Sequence, residues 1–276
     1  MPEQDGSAFS RRVWVGAKAF TFDSDDSYLA DMEESFEPET VRLFEALVER
    51  KDVALDVGAN IGLTALLLGQ LAGAVTAFEP SPSTFHYLEV NVRRAGLTNI
   101  ELRNIGLGDV DATTEISFSD QNRAGGFVSD LTKPGIGHVT EKIDVRRLDG
   151  LDLGGAKANF LKLDVEGYEQ HVLTGGAQTI HQWRPVVTLE LNHWCLNAFR
   201  RITVPEFFDF LRGYFPICLA VDSDHYLDLH NGDDSYAVMY HHIVEWQYKT
   251  LVCAFDHTSL QRFYDTYRYV GSAPRS

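Results

Sequence analysis

The sequence has few cysteines, no long apolar run and no leader-like N-terminus. Its three cysteines, Cys195, Cys218 and Cys253, form no CxxC pair, and their odd number leaves at least one unpaired, which fits a reducing compartment best. No apolar run approaches the ~20 residues that cross a bilayer, and the N-terminus lacks the apolar stretch of a signal peptide. We therefore expect a soluble, unexported, cytoplasmic protein without membrane insertion.

Positive charge is also scarce. Lysine and arginine number 24 against 40 acidic residues, so the formal net charge is -16 and the sequence pI is about 4.9. Such a surface repels DNA, RNA and anionic lipid, and we expect no nucleic-acid partner. A chain of 276 residues with 44% hydrophobic content is long enough to bury one large core.

The chain divides by pattern into an extension and one larger domain. Residues 1–50 are expected to pack on the core as an N-terminal extension, with a strand or hairpin followed by an amphipathic helix. In residues 51–276, short apolar runs at 53–58 and 74–80 alternate with helical patterns, which indicates a doubly wound, mostly parallel α/β sheet. A β insertion with a glycine-rich loop interrupts this alternation at about 110–148.

The C-terminal segments have less distinct patterns. We expect helices in TVPEFFDFLRGYF and SLQRFYDTYRYV, and strands in ICLAVD and SYAVMYHH. Adjacent side chains of a strand point to opposite faces, so His241 and His242 are not expected to share a metal ion.

The segment LDVGANIG has the composition of a nucleotide-binding turn between a strand and a helix. Gly58 can adopt positive φ and let the backbone approach a ligand, and Gly62 allows close helix packing. A dinucleotide-binding turn has a second glycine at the position that Asn60 occupies here, after Ala59. The Asp56 carboxylate suits a ligand amino group. These features favour S-adenosylmethionine over NAD, and a tight turn without a ligand is the alternative.

Two later segments complete the predicted cofactor site. Glu79, followed by Pro80, ends the next strand about 20 residues on, where such folds place an acid on the ribose hydroxyls. A carboxylate accepts two hydrogen bonds from a vicinal diol. After the third strand, Asn104, Gly106 and Leu107 are candidates for the adenine side of the ligand, although such residues also form ordinary turns.

Acidic residues and a histidine follow two further strands. Asp164 ends a buried strand, where it would face the methyl group or orient the acceptor, while Glu166 and Glu169 are expected to begin a helix. If the methyl acceptor is a hydroxyl group, its proton must be removed, and His193 is then the predicted general base with Glu190 as its partner or alternative. Asp164, Glu190 and His193 could instead hold a divalent cation. The sequence does not separate these mechanisms, and the metal is an alternative that we do not predict.

The segments LDVGANIG, FEPSP and LKLDVEGYEQHVLTGG resemble the FkbM family of S-adenosylmethionine-dependent methyltransferases, a class I, Rossmann-like group. The resemblance covers roughly residues 36–195. It implies a seven-stranded sheet with a terminal antiparallel hairpin, and O-methylation of a sugar or polyketide-type hydroxyl. Residues 1–35 and 196–276 match the family less distinctly, and we expect acceptor specificity to lie there.

The function predicted from these features is S-adenosylmethionine-dependent O-methylation of a sugar, glycolipid or polyketide-type small molecule, in glycan modification or secondary metabolism. S-adenosylhomocysteine would be the product. A methyltransferase acting on a protein or peptide side chain is one alternative. An NAD-dependent oxidoreductase and a non-catalytic cofactor-binding subunit are alternatives of other classes, and a homodimer is left open.

Overall fold

The computed structural model describes residues 8–119, 121–129 and 131–271. The strands in this part of the chain are β1 (Phe9–Val15), β2 (Lys18–Ser24), β3 (Val53–Val57), β4 (Ala74–Phe78), β5 (Ile100–Arg103), β6 (Gly106–Leu107), β7 (Ala112–Ser119), β8 (Asn122–Phe127), β9 (His138–Arg146), β10 (Phe160–Leu163), β11 (Val186–Glu190), β12 (Ile217–Asp222), β13 (His225–Asp228), β14 (Thr250–Ala254) and β15 (Arg268–Tyr269). The α-helices are α1 (Ser27–Asp31), α2 (Pro38–Leu47), α3 (Leu63–Leu71), α4 (Pro82–Ala95), α5 (Glu169–Gly175), α6 (Ala177–Trp183), α7 (His193–Cys195), α8 (Val204–Tyr214), α9 (Gly232–Glu245) and α10 (Gln261–Thr266). Not one of these helices is long and apolar enough to span a bilayer.

The main sheet has the strand order β15-β13-β12-β14-β11-β10-β3-β4-β5. Strands β5, β4, β3, β10 and β11 are parallel, and β14 runs antiparallel to both β11 and β12. The strand order reverses between β3 and β10, which is where open α/β sheets bind ligands. The Rossmann-like, doubly wound fold class is therefore confirmed.

The C-terminal edge of the sheet is more elaborate than the resemblance implies. Strands β13 and β15 extend the sheet beyond β12. Strands β12 and β14 do pair antiparallel, but β13 and α9 lie between them in the chain, so they are not joined by a short hairpin turn.

The apolar core is divided into two clusters, one on each face of the main sheet. Phe160 and Val186 belong to the apolar cluster packed under α2 and α3, whereas Leu161 and Val187 belong to the cluster under α5 and α8. This alternation is expected because successive side chains of a strand point to opposite faces. Both faces are covered, which is why β3 and β10 consist almost entirely of buried residues.

The predicted ends of α4 are confirmed. The Ser81 hydroxyl accepts a hydrogen bond from the Thr84 backbone N–H, Pro82 occupies the first turn, and Gly96 ends the helix with φ of 69°. These features fix where α4 begins after β4, and so they fix the position of Glu79.

Residues 8–50 and the β insertion both pack near the carboxyl ends of the central strands. The β1–β2 hairpin lies on α4, where the Asn91 side chain accepts from the backbone N–H of Asp23 and donates to its carbonyl. Helix α1 contacts β8, with the Ser27 backbone N–H donating to the Gln121 carbonyl at 2.8 Å. The insertion is a sheet of order β6-β9-β7-β8, so part of the expected glycine-rich loop is the strand β8.

The prediction of a strand in SYAVMYHH is wrong, because these residues lie in the helix α9. Asn231 caps this helix by accepting from the backbone N–H groups of Asp233 and Asp234. Its buried residues Asp234, Val238 and His242 are each one turn apart, a helical spacing that the short apolar run obscured.

Candidate active site

A cavity of about 830 Å³ lies at the carboxyl ends of β3, β4, β10 and β11, covered by residues from the extension and the β insertion. Most of the sequence-predicted site residues line it, namely Gly58, Ala59, Asn60, Glu79, Pro80, Gly106, Leu107, Asp164 and Glu190. Asp56, Gly62, Asn104 and His193 are not among the lining residues.

The turn after β3 has the backbone geometry that the sequence predicts. Gly58 has φ of 80°, and a Cβ added there would lie 1.9 Å from the Asp164 carbonyl oxygen, so no other residue fits without moving the end of β10. Asn60 also has positive φ, at 48°, and its Oδ1 is buried with no hydrogen-bond partner in the part of the chain that the structure describes. Gly62 begins α3, where an added Cβ would lie 2.9 Å from Leu88 of α4, so its function is helix packing.

Glu79 lies beside this turn, at the end of β4. Its Oε2 accepts from the Asn60 backbone N–H and its Oε1 from the Ser81 backbone N–H, both at 3.0 Å. Burial raises the pKa of Glu79 to about 7, against the opposing effect of these two hydrogen bonds. The carboxylate is thus held rigidly at the cavity wall.

Asp56 has a different role from the one predicted. Its carboxylate is fully buried beneath the turn, accepts from the Thr64 hydroxyl at 2.7 Å, and lies 3.2 Å from the Lys162 ammonium group. Because a cation of the protein already neutralises it, Asp56 does not present a charge to a ligand amino group. Asn104 is also structural, since its amide donates to the carbonyls of Glu79 and Pro80.

Lys162 is a functional candidate that the sequence reasoning missed. It is buried in β10, where its ammonium group donates to the Gly58 carbonyl at 2.7 Å and lies 3.6 Å from Asp164. Lys162 therefore joins the cofactor turn to the end of β10. The sequence does contain an indication of this role, because a lysine inside the apolar run FLKL needs buried partners for its charge.

Three acids meet where β10 and β11 end. Carboxylate oxygens of Asp164, Glu166 and Glu190 lie within 4.8 Å of one another. Burial, and then the Asp164 charge, raise the pKa of Glu166 to about 7 and that of Glu190 well above its usual range. Glu166 is in a turn with φ of 52°, not in a helix as expected, whereas Glu169 does begin α5.

Glu166 and Glu169 accept hydrogen bonds from other groups of the protein, whereas one carboxylate oxygen of Glu190 does not within the described part of the chain. Cys195 Sγ donates to Glu166 Oε2 at 2.9 Å, and Glu169 Oε1 accepts from the backbone N–H groups of Val165 and Gly167. Glu190 Oε2 is buried and has no hydrogen-bond partner among the residues described. An acid that faces a cavity in this state is available for a ligand.

His193 does not reach the acidic cluster in the way expected of a general base. Its ring contacts His242 and Trp246, with centroids 5.0 and 4.8 Å away, and burial lowers its pKa. Trp246, which is 41% exposed, does line the cavity. The structure thus makes His193 a support for Trp246, and the prediction that it contacts the reacting hydroxyl is corrected.

The part of the cavity beyond the acidic cluster was not predicted. It is lined by residues from the ends of β11, β12 and β14 and from the segment after α9, including Thr188, Asp222, Ser223, Trp246, Tyr248, Lys249 and Thr250. No motif in the sequence marks these positions, because they come together only through the strand order.

Comparison with known proteins finds a matching family and curated relatives. The family model for the methyltransferase FkbM domain matches residues 56–221. The hexuronic acid methyltransferase AglP of Haloferax volcanii is 34% identical over 143 residues, which are 50% of this chain and 56% of AglP. Methyltransferase 1 of Beauveria bassiana is 30% identical over 142 residues, which are 44% of this chain and 57% of that protein.

The matched region thus spans only about half the length of these curated relatives. Among solved structures, a methyltransferase FkbM from Methylobacillus flagellatus aligns with a TM-score of 0.41 at 18% identity, over 62% of this chain and 42% of its own. The family model covers more than half of the chain and includes the turn and both acidic strand ends. The chain belongs to the FkbM methyltransferase family.

Proposed function

We propose that the protein is an S-adenosylmethionine-dependent O-methyltransferase that acts on a hydroxyl group of a sugar. The observation that carries this proposal is that one cavity contains both the Gly58–Asn60 turn with Glu79 and the acids at the ends of β10 and β11. The first group suits a nucleoside cofactor, and the second suits a hydroxyl that must lose a proton.

The residues around the turn fit the proposed cofactor. Glu79 uses one acceptor site of each oxygen on backbone N–H groups, so each oxygen keeps capacity for a ribose hydroxyl. The unpartnered Asn60 Oδ1 suits the amino group of the methionine part, the role that Asp56 does not fill. Lys162 holds the Gly58 carbonyl, which keeps the turn in place.

The acidic cluster is assigned to the acceptor side of the reaction. When bound, S-adenosylmethionine supplies a methyl group on a positively charged sulfur, and loses that charge as the methyl group moves to oxygen. Asp164, Glu166 and Glu190 surround the site with carboxylate oxygens that attract the acceptor hydroxyl and receive its proton. Raised pKa values at Glu166 and Glu190 make them stronger bases than ordinary carboxylates.

A sugar acceptor is supported by the character of the remaining cavity wall. Trp246 and Tyr248 offer aromatic surface, and Asp222, Ser223 and Thr250 offer polar groups beside it. Sugars combine apolar faces with hydroxyl rims, so this mixture suits them. AglP, which is named as a hexuronic acid methyltransferase, is consistent with an acceptor of this class.

A label-transfer assay tests the proposal. The full chain is incubated with S-adenosylmethionine carrying a radioactive methyl group, and with a panel of hexuronic acid glycosides, neutral hexosides and peptides. We expect base-stable label on a sugar hydroxyl. Label confined to peptides, or no label on any sugar despite demonstrated cofactor binding, would contradict the proposed acceptor class.

A further inference from the structure

We propose that Asp164, Glu166 and Glu190 form a binding site for one divalent cation of the Mg²⁺ or Mn²⁺ type. This inference deepens the proposed function, because the cation would lie where the acceptor hydroxyl is expected. Binding of the cation itself requires neither cofactor nor acceptor, so it can be tested separately.

The topology brings the three acids together. Leu163 of β10 pairs with Leu189 of the parallel neighbour β11, so the residues that follow, Asp164 and Glu190, emerge side by side. The positive φ of Glu166 then turns the chain so that its carboxylate joins them, with oxygens of all three acids within 4.8 Å of one another. Like charges placed directly across two strands destabilise a sheet unless something neutralises them.

Within the described residues, the cation that forms an ion pair with this cluster is Lys162, which is shared with other groups. Lys162 lies 3.6 Å from Asp164, but it is closer to Asp56, at 3.2 Å, and to the Gly58 carbonyl, at 2.7 Å. In the residues described, no side chain donates a hydrogen bond to Glu190 Oε2, which is buried. The cluster therefore has free acceptor capacity on the cavity side.

A second buried oxygen next to the cluster also lacks a partner. Thr188 is 2% exposed and lines the same cavity, and its Oγ1 makes no hydrogen bond to the residues described. It precedes Glu190 by two residues on β11, so both side chains lie on the same face of the sheet. An unpartnered hydroxyl beside an unpartnered carboxylate oxygen is typical of a site that receives an oxygen-seeking ligand.

The donor set selects the class of cation. Carboxylate and hydroxyl oxygens suit Mg²⁺, Mn²⁺ and Ca²⁺, whereas zinc sites usually contain nitrogen or sulfur ligands. The Cys195 thiol donates a hydrogen bond to Glu166, and His193 packs on Trp246, so neither completes a zinc site. The alternative metal site considered from the sequence is changed accordingly, with Glu166 in place of His193.

Titration calorimetry of the full chain with MnCl₂ and MgCl₂ at pH 8, after removal of metals, tests this inference. We expect about one saturable site per chain, and at least about a tenfold loss of affinity in both Glu190→Gln and Asp164→Asn. Glu39→Gln is the matched control, because Glu39 lines the cavity but is outside the cluster, and its affinity should equal that of the wild type. Manganese electron paramagnetic resonance counts the bound ions independently.

Several outcomes would overturn the inference. Absence of saturable binding would show that the cluster holds protons instead of a metal ion. Equal binding in the wild type and in both folded variants would place the ion elsewhere on the acidic surface. Binding of S-adenosylhomocysteine measured on the same samples keeps the two proposals distinct, since it can succeed when the metal site fails and fail when the metal site succeeds.

Discussion

Glu79 shows how one side chain can be both structural and available to a ligand. Its two hydrogen bonds to backbone N–H groups fix the carboxylate against the turn, while burial keeps its pKa near 7. Asp56, near the end of the neighbouring strand β3, is also buried but is neutralised by Lys162. The difference between a binding acid and a structural acid is therefore set by the neighbouring cation.

The affinity for S-adenosylhomocysteine should depend on pH through Glu79. The charged carboxylate accepts the ribose hydrogen bonds best, so affinity should fall as the pH drops below about 7. Glu79→Gln should weaken binding by about 1.5–3 kcal/mol at pH 8 and flatten this pH dependence. Calorimetry at pH 6 and pH 8 measures both effects, with Glu39→Gln as the control. An unchanged affinity in Glu79→Gln would show that the ribose binds elsewhere.

His193→Ala should affect acceptor binding more than the chemical step. Loss of the ring contact to Trp246 should raise KM for the sugar about two- to tenfold, the scale of an aromatic pair. The shape of the pH–rate profile should not change, because His193 does not touch the reacting atoms in this account. His181→Ala is the matched control, since His181 contacts Tyr214 outside the cavity lining. Loss of the acidic limb, the fall in rate at low pH, from the His193→Ala profile would restore the histidine as the general base.

At the scale of elements, the N-terminal extension and the β insertion are joined to each other over the cavity. Arg123 of β8 forms two hydrogen bonds of 2.8 Å with the Asp25 carboxylate, and its backbone N–H donates to Asp26 at 2.8 Å. Arg123 also lines the cavity. The cover of the site is thus held partly by an ion pair between segments nearly a hundred residues apart in the chain.

Asp25→Asn should loosen this cover without unfolding the domain. Arg123 holds the pKa of Asp25 below its usual range, so the pair is intact at neutral pH and weakens only as the pH falls through that lowered value. Loss of about 1 kcal/mol of local stability should speed amide exchange in β8 about fivefold. Asp23→Asn breaks the comparable pair with Arg94 of α4 and should leave β8 unaffected. Equal exchange rates in β8 of the wild type and Asp25→Asn would show that the pair does not hold the cover.

An element could be predicted from the sequence where the residues that determine it lie close together in the chain. The turn at Gly58 and the ends of α4 depend on glycine dihedrals and a serine cap, which are legible in a short segment. Helix α9 was not predicted because its buried face has only three residues, one of them an aspartate, and β8 was not predicted because glycines lie inside a paired strand. Thr188 and Trp246 reach the cavity through strand order alone, which no single segment encodes.

At the scale of the whole molecule, several buried acids sit in one region of an acidic protein. Burial raises the pKa values of Glu79, Glu166 and Glu169 from 4.5 to about 7. Between about pH 4.5 and pH 7, these carboxyl groups are still protonated in the folded chain but have already lost their protons in the unfolded chain. Their contribution to stability is present below about pH 4.5 and is lost as the pH rises through about 7.

The free energy of unfolding should therefore fall between about pH 5 and pH 7.5, by an amount on the order of several kcal/mol. His242 acts in the opposite direction, because burial lowers its pKa to about 4, but it is one group against three carboxyls. Urea unfolding at several pH values measures the trend. Glu169→Gln should reduce the slope, and a stability that rises steadily to pH 7.5 would contradict the pKa values on which the prediction rests.

The central claim is that the cavity binds S-adenosylmethionine and not a dinucleotide. Titration calorimetry of the full chain with S-adenosylhomocysteine and with NADH, in parallel and under identical conditions, tests it most directly. The account predicts saturable binding of one S-adenosylhomocysteine per chain and no binding of NADH. Saturable binding of NADH, with none of S-adenosylhomocysteine, would contradict it.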